Sequence, residues 1–422
     1  MSGPAEPQMP RPTVDACRLW DSLAALAEIG ATARGGVCRL ALSDDDKNAR
    51  DLFVRWCREA GCSTRVDAVG NIFARRRGRD DLLPAVLLGS HLDTQPNGGR
   101  FDGAYGVMAG LEVVRALNDA GIETEAPLEI VAWTNEEGTR FAPSMMGSMA
   151  HAGLLDVEAV YRSTDADGCS FLTALERIGY RGERLGGPAC AAYFEAHIEQ
   201  GPVLEEAGKT IGVVTGGQGQ CWYDVTLTGQ DAHAGTTPMA RRRDALVGAA
   251  DVIQAVHRIG SAYPPGGCAT VGQLTVTPNS RNVIAREVLL TVEVRNPDDA
   301  RRLEMDKAVR AAIARAAESH RLQAQVTLRL DQPATPFDAQ CVAAVRDAAS
   351  QAAFSHMDIV SGAAHDAIAM AHIAPTAMVF VPCAGGISHN EEESATPDDL
   401  AAGCDVLLRA ALSRLGHSAR RR

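Results

Sequence analysis

Residues Gly89–Gly106, GSHLDTQPNGGRFDGAYG, decide how the chain is read. The preceding Pro84–Leu88, PAVLL, has the pattern of a short buried strand, and Ala104–Ala120 that of a helix. His91, Asp93 and Asp102 therefore sit on a glycine-bearing loop at a strand's C-terminal end, the edge at which open α/β sheets bind ligands. In extended chain His91 and Asp93 point the same way, so that a carboxylate can steady an imidazole used as a metal ligand. Asn97, Gly98 and Gly99 let the chain turn back and present Asp102 to the same point.

The same arrangement recurs outward from this loop. Ser43–Gly61 reads as a helix with Ser43 as N-cap, acids in its first turn and Gly61 as its stop. Ser63–Arg75 reads as strand with a bend at Val69–Asn71. Leu128–Thr134, LEIVAWT, is another apolar strand, followed by Asn135, Glu136, Glu137 and Gly138. Two adjacent carboxylates at a strand end are costly unless something cationic lies near them, and their diverging side chains let one bind a metal while the other addresses a bound water. Ala192–Gln200, AYFEAHIEQ, carries His197 near its end, and the strand Thr376–Val381 leads into Cys383–Glu393, CAGGISHNEEE, with His389. Helices are expected over Asp338–Ala353 and Pro397–Leu415. Strand and helix alternate, which predicts a mixed, largely parallel sheet.

Between these segments the organisation changes. Thr215–Gln220, TGGQGQ, reads as a hinge. Strand Cys221–Gly229, helix Ala240–Ile259, strands Cys268–Thr277 and Arg286–Arg295, helix Asp298–His320 and strand Gln323–Leu330 follow, the β-α-β-β-α-β order of a ferredoxin-like α+β unit. Asp331–Pro336 is the return crossing. The predicted division is a catalytic domain over 1–214 and 331–422, interrupted by a smaller domain over 215–330.

Composition bounds the function. A chain of 422 residues with a formal net charge of −12 has room for two domains and no general attraction to nucleic acid or to an anionic membrane. The opening residues lack the pattern of a secretory signal and no stretch is apolar for long enough to span a bilayer, so a cytoplasmic protein is expected. Residues 1–12 and 420–422 read as loose ends. Eleven cysteines without a CxxC pair do not suit a disulfide scaffold or cysteine-held zinc. Any metal must then be held by His and carboxylate. Two divalent ions about 3.5–4 Å apart need a bridging carboxylate and further imidazole or oxygen ligands, and His91, Asp102, Glu136, Glu137, His197 and His389 can supply them. Such ligands suit zinc, and also manganese, cobalt or nickel.

The strings GSHLDTQPNGGRFDG, NEEGTRFAPSMMGS, AHIEQGPVLE, DAHAGTTPM, SGAAHDA and GGISHNEEE, in this order over nearly the whole chain, resemble the hydantoinase/carbamoylase amidases of the M20 metallopeptidase superfamily. The resemblance implies a di-metal catalytic domain with an inserted lid that mediates homodimerisation. It places His91 and His197 on one ion, Glu137 and His389 on the other, and Asp102 between them. Asp93 would orient His91, and Glu136 would move the proton of the attacking water. Histidine at 197 sets the chain apart from peptidase members, which place an acid there, and Gln200 would contact substrate. In the lid, His233 would reach a neighbouring subunit's site and stabilise charge on the substrate carbonyl, Asn282 would contact substrate, and Arg295 would bind its carboxylate, a task suited to a guanidinium fork. SGAAHDA departs from the family in Ala364, where many relatives have glycine; His365 and Asp366 beside it are not taken as ligands. The activity implied is hydrolysis of an N-carbamoyl amino acid, α or β, to the amino acid, carbon dioxide and ammonia. The TQP string favours β-ureidopropionase slightly. Allantoate amidohydrolase is the nearest alternative, and a dipeptidase or aminoacylase a more distant one.

Overall fold

The computed structural model describes residues 12–186 and 190–419; the ends read as loose, apart from Pro12, lie outside them. The chain divides into two compact units, one formed by the residues up to Gly216 with those from Pro336 onward, the other by Gly217–Thr335. Both crossings fall slightly later than the sequence suggested, because TGGQGQ is not a loose hinge. All of its residues but Gln218 belong to two strands, Ile211–Gly217 and Gly219–Thr228.

The larger unit is built on a mixed sheet. Its middle consists of parallel strands in the order Leu128–Trp133, Val86–His91, Ala192–Ile198, Thr376–Val381. Every residue of these strands is buried, which explains why they read as continuous apolar runs rather than as alternating ones. Antiparallel strands extend the sheet on both sides: Ile72–Arg76 pairs with Leu128–Trp133, and Ile211–Gly217 with Thr376–Val381. Ser63–Arg75, read as one bent strand, is a hairpin of Ser63–Val66 and Ile72–Arg76, with Gly70 at φ +88° in its turn.

Helices cover the sheet. Asp44–Glu59 starts where expected, since the Ser43 side chain accepts the Asp46 amide. Ala104–Asp119 packs on Val86–His91, and Pro397–Leu415 on Thr376–Val381. The helices Ala16–Ala27 and Phe171–Ile178 and the strand His356–Ser361 were not anticipated. No helix among the described residues is long and apolar enough to cross a membrane.

The smaller unit has the expected element order. Its antiparallel sheet runs Gln323–Gln332, Gly219–Thr228, Glu287–Asn296, Cys268–Thr277, the ferredoxin-like arrangement. Alternate residues Val288, Leu290, Val292 and Val294 are buried and join a core with Val252 and Val256 of one helix and Val309 and Ile313 of the other. The first of these helices begins at Ala245 rather than Ala240 because Asp244 caps it, accepting the amides of Leu246 and Val247.

Candidate metal centre

The parallel strands carry the candidate residues on one edge. His91 ends its strand and pairs in register with Trp133, two residues before Asn135; His197 pairs with Phe380 on the strand that leads to His389. His91 is thus the last strand residue, not a loop residue. Asn135, Gln200 and His389 hold positive φ of 55°, 59° and 53°, so the backbone is bent sharply just where side chains must turn toward one point. Such conformations cost about 1–3 kcal/mol each and persist where the surroundings over-determine them.

The ligand atoms converge as two triads that share Asp102. Asp102 Oδ1 lies 3.5 Å from His91 Nε2 and 3.1 Å from His197 Nε2. Asp102 Oδ2 lies 3.2 Å from His389 Nε2, which is 3.3 Å from Glu137 Oε2. Bonds of about 2.0–2.1 Å in a tetrahedron give ligand-to-ligand edges of about 3.3 Å, so each triad has the spacing that a divalent ion requires.

The imidazoles are presented in the right form. His91 Nδ1 lies 2.9 Å from the Asp93 carbonyl oxygen and His197 Nδ1 2.9 Å from that of Ile198. A carbonyl only accepts, so each Nδ1 carries the proton and each Nε2 offers its lone pair to the cluster. Gly103 at φ +65° completes the pocket: its amide donates to His197 Nε2 at 3.2 Å, and a Cβ there would lie 2.3–2.4 Å from the His91 ring.

One expected contact is replaced by another. The Asp93 carboxylate stays 4.0 Å from His91 Nδ1, and the Asp93 backbone carbonyl orients the ring instead. The carboxylate accepts the amides of Glu136 and Glu137, each at 3.2 Å. Side chains alternate along extended chain, but a carbonyl beyond the strand end is equally able to reach back, and the sequence does not distinguish the two.

Electrostatics explain why the cluster calls for cations. Burial pushes Glu137 up to about 7, with Asp102 adding to the rise and His91 and His389 opposing it. Glu136 is raised well above the usual carboxylate range by burial and by Asp366, Glu137 and Asp102, against the pull of His91. Burial also pushes Asp102 up, but the His197, His389 and His91 imidazoles packed against it hold it well below its ordinary value. His389 is raised to about 9, chiefly by its bond to Asp102. Several carboxylates held together away from water are stable only with compensating positive charge, and the donor set fits divalent metal.

Glu136 Oε2 lies 3.6 Å from His91 Nε2, and no donor among the described residues hydrogen-bonds its carboxylate. Gln200 Nε2 donates to Asp102 Oδ2 at 2.8 Å and to Ser388 Oγ at 3.1 Å, so its amide is held on the shared aspartate. Several supporting residues were not anticipated. Gln95 Nε2 donates to Glu137 Oε2 at 2.8 Å while accepting the Thr139 hydroxyl. Glu195, His197 and His365 form a third buried grouping of ligand-type atoms. Glu195 is already engaged by the Ser90 and Tyr193 hydroxyls and the Ala367 amide, which makes it an anchor between strands. The sequence signal for these residues was weak, because each is an ordinary polar side chain next to a stronger motif.

In the smaller unit, His233 and Asn282 come together: the Ala234 amide donates to the Asn282 carbonyl at 2.9 Å, and His233 bridges Val283. His233 is exposed, and its Nδ1 accepts the amides of Gly235 at 3.0 Å and Thr236 at 3.2 Å, which places the proton on Nε2. Arg295 lies near the far end of the Glu287–Asn296 strand, with its Nε donating to Glu293. From Glu287 to Arg295 the strand covers roughly 27 Å at its usual rise. The structure therefore joins His233 and Asn282 within this unit, and Arg295 stands at the other end of the strand from Glu287.

A largely parallel sheet with two ligand triads on one edge, interrupted by a ferredoxin-like unit, defines a metal-binding hydrolase of the M20 type. The family model described as peptidase family M20/M25/M40 matches residues 87–413, and the chain belongs to that family, in its hydantoinase/carbamoylase amidase group. It is 46% identical over 401 residues to an N-carbamoyl-L-amino-acid amidohydrolase of Rhizobium meliloti, covering 94% of this chain and 96% of that protein. A ureidoglycolate hydrolase of Arabidopsis thaliana is 33% identical, with 94% and 86% covered. Among solved structures, a hydantoinase/carbamoylase family amidase of Burkholderia multivorans superimposes with a TM-score of 0.91 at 56% identity, covering 96% of this chain and 98% of that one.

Proposed function

We propose that the protein hydrolyses N-carbamoyl-L-amino acids to the amino acid, carbon dioxide and ammonia. The observation that carries this reading is the pair of triads sharing Asp102, with Glu136 beside them. Its support at the level of substrate is the likeness to N-carbamoyl-L-amino-acid amidohydrolases at 46% and 40% identity. Ureidoglycolate hydrolases, at 33% and 35%, are the basis of a second reading, another ureido acid.

In this reading His91, His197 and Asp102 would hold one ion, and Glu137, His389 and Asp102 the other. Zinc is the first choice, with manganese, cobalt or nickel compatible. When bound, the ions supply an activated water and polarise the ureido carbonyl, which is otherwise a poor electrophile. The Glu136 carboxylate, 3.6 Å from His91 Nε2, takes a proton as water adds to the carbonyl carbon and returns it to the leaving nitrogen. Asp93 holds the backbone of Glu136 in place, and Gln200 steadies Asp102 and faces the substrate. Arg295 binds the substrate carboxylate, while His233, through its Nε2 proton, and Asn282 bind the ureido oxygen end. This reading includes a homodimer through the smaller unit, in which one subunit lends His233 to its partner's site. We place the enzyme in the cytoplasm.

The test is Glu136→Gln. Metal content should match the wild type while ammonia release from N-carbamoyl-L-amino acids, N-carbamoyl-β-alanine and allantoate falls by at least about 10²-fold. An active variant would overturn the assigned base, and wild-type cleavage of dipeptides alone would overturn the substrate class.

A further inference from the structure

Glu393 ends the run of glutamates after His389 and is buried at 2% exposure. Its Oε1 accepts the amides of Phe101 at 2.9 Å and Asp102 at 3.1 Å, and its Oε2 accepts the Ser388 hydroxyl at 2.8 Å. Ser388 Oγ also lies 3.3 Å from Asp102 Oδ2. The loop is closed down on this carboxylate, for a Cβ at Gly99 would lie 2.1 Å from it. One side chain thus ties the loop that bears Asp102 to the loop that bears His389.

The two triads differ in what else holds them. His91 and His197 are 2% and 1% exposed, stand at strand ends, and are locked by carbonyls on Nδ1. His389 has a side chain 51% exposed on a residue at φ +53°, and among the described residues no hydrogen bond holds its Nδ1. Its place relative to Asp102 is set by the backbone that Ser388 and Glu393 fasten.

We infer that Glu393 is a positioning residue for the second triad, so that the ion on Asp102, Glu137 and His389 depends on it more steeply than the ion on His91, His197 and Asp102, whose two imidazoles are locked without it. This rests on the two-ion reading above. Metal-stripped full-length protein, titrated with zinc alone by calorimetry and checked by elemental analysis after dialysis, decides it. The wild type should take up two ions per chain. Glu393→Ala should bind one at least tenfold more weakly, as His389→Ala should, and lose markedly less on the other. Glu393→Gln keeps an acceptor for the Phe101 and Asp102 amides, and should weaken the same ion by less; it decides the matter if the alanine variant does not fold, as judged by circular dichroism. Two ions bound with wild-type affinity in the folded variants, or equal weakening of both, would overturn the inference. Fewer than two ions on the wild type would instead overturn the two-ion reading itself.

Discussion

Asp93→Asn separates two roles that the sequence had merged. In the wild type both carboxylate oxygens are engaged, with the Glu136 and Glu137 amides at 3.2 Å each, in a setting where Asp93 is 2% exposed. Asparagine keeps one acceptor and turns an NH2 group toward the other amide. The loss is one hydrogen bond to a charged group, about 1.5–3 kcal/mol, together with part of the cost of a buried unpaired N–H, for a total of about 2–4 kcal/mol. The urea midpoint of the metal-stripped protein should fall by about 1 M. Turnover should fall further than stability suggests, because a shift of about 1 Å in Glu136 costs on the order of 10²-fold. Zinc added to the protein should still bind at His91 and His197, since the Asp93 backbone carbonyl that orients His91 is untouched. Urea denaturation, ammonia release and elemental analysis together read the outcome. Wild-type stability with wild-type turnover, or complete loss of zinc as in His91→Ala, would refute the reasoning; the latter would return the carboxylate to His91.

Gly103→Ala should abolish zinc binding by the first triad, because its Cβ would overlap the His91 ring at a backbone φ of +65°. Gly179→Ala, also at positive φ but with nothing within 4 Å, should cost only about 1 kcal/mol and leave zinc content unchanged, as thermal unfolding and elemental analysis would show. His151 packs on Phe73 and Trp133 with ring centroids 5.5 and 5.2 Å away, and burial lowers its pKa to about 4. The unfolded chain takes up this proton near 6.5 and the folded chain only near 4, so the neutral ring's stability is present above 6.5 and drains away as pH falls toward 4, reaching at most about 2 kcal/mol at pH 5. His151→Gln should remove this part of the acid sensitivity, and equal losses in urea midpoint between pH 7 and pH 5 for both proteins would contradict the assignment.

Much of the architecture was legible because apolar runs, caps and turn residues act locally. Thr376–Val381, Cys268–Thr277 and Pro397–Leu415 have the bounds expected of them. TGGQGQ has the composition of a hinge, yet its residues extend two strands because neighbouring backbone offers them hydrogen bonds. The helices Ala16–Ala27 and Phe171–Ile178 pack on a core whose position the local pattern does not reveal.

The sequence by itself determined the parallel strand core and the kinds of ligand available, since burial on both faces and His/carboxylate chemistry are properties of the residues. Which atoms meet was decided only in three dimensions. Strand order sets His91, Glu137, His197 and His389 on one edge; a backbone carbonyl takes the place of the Asp93 carboxylate beside His91; and Glu393, one of three consecutive glutamates in sequence, is the one whose burial lets it fasten Asp102 to the His389 loop. Contacts between residues hundreds of positions apart depend on register and packing, which no local pattern encodes.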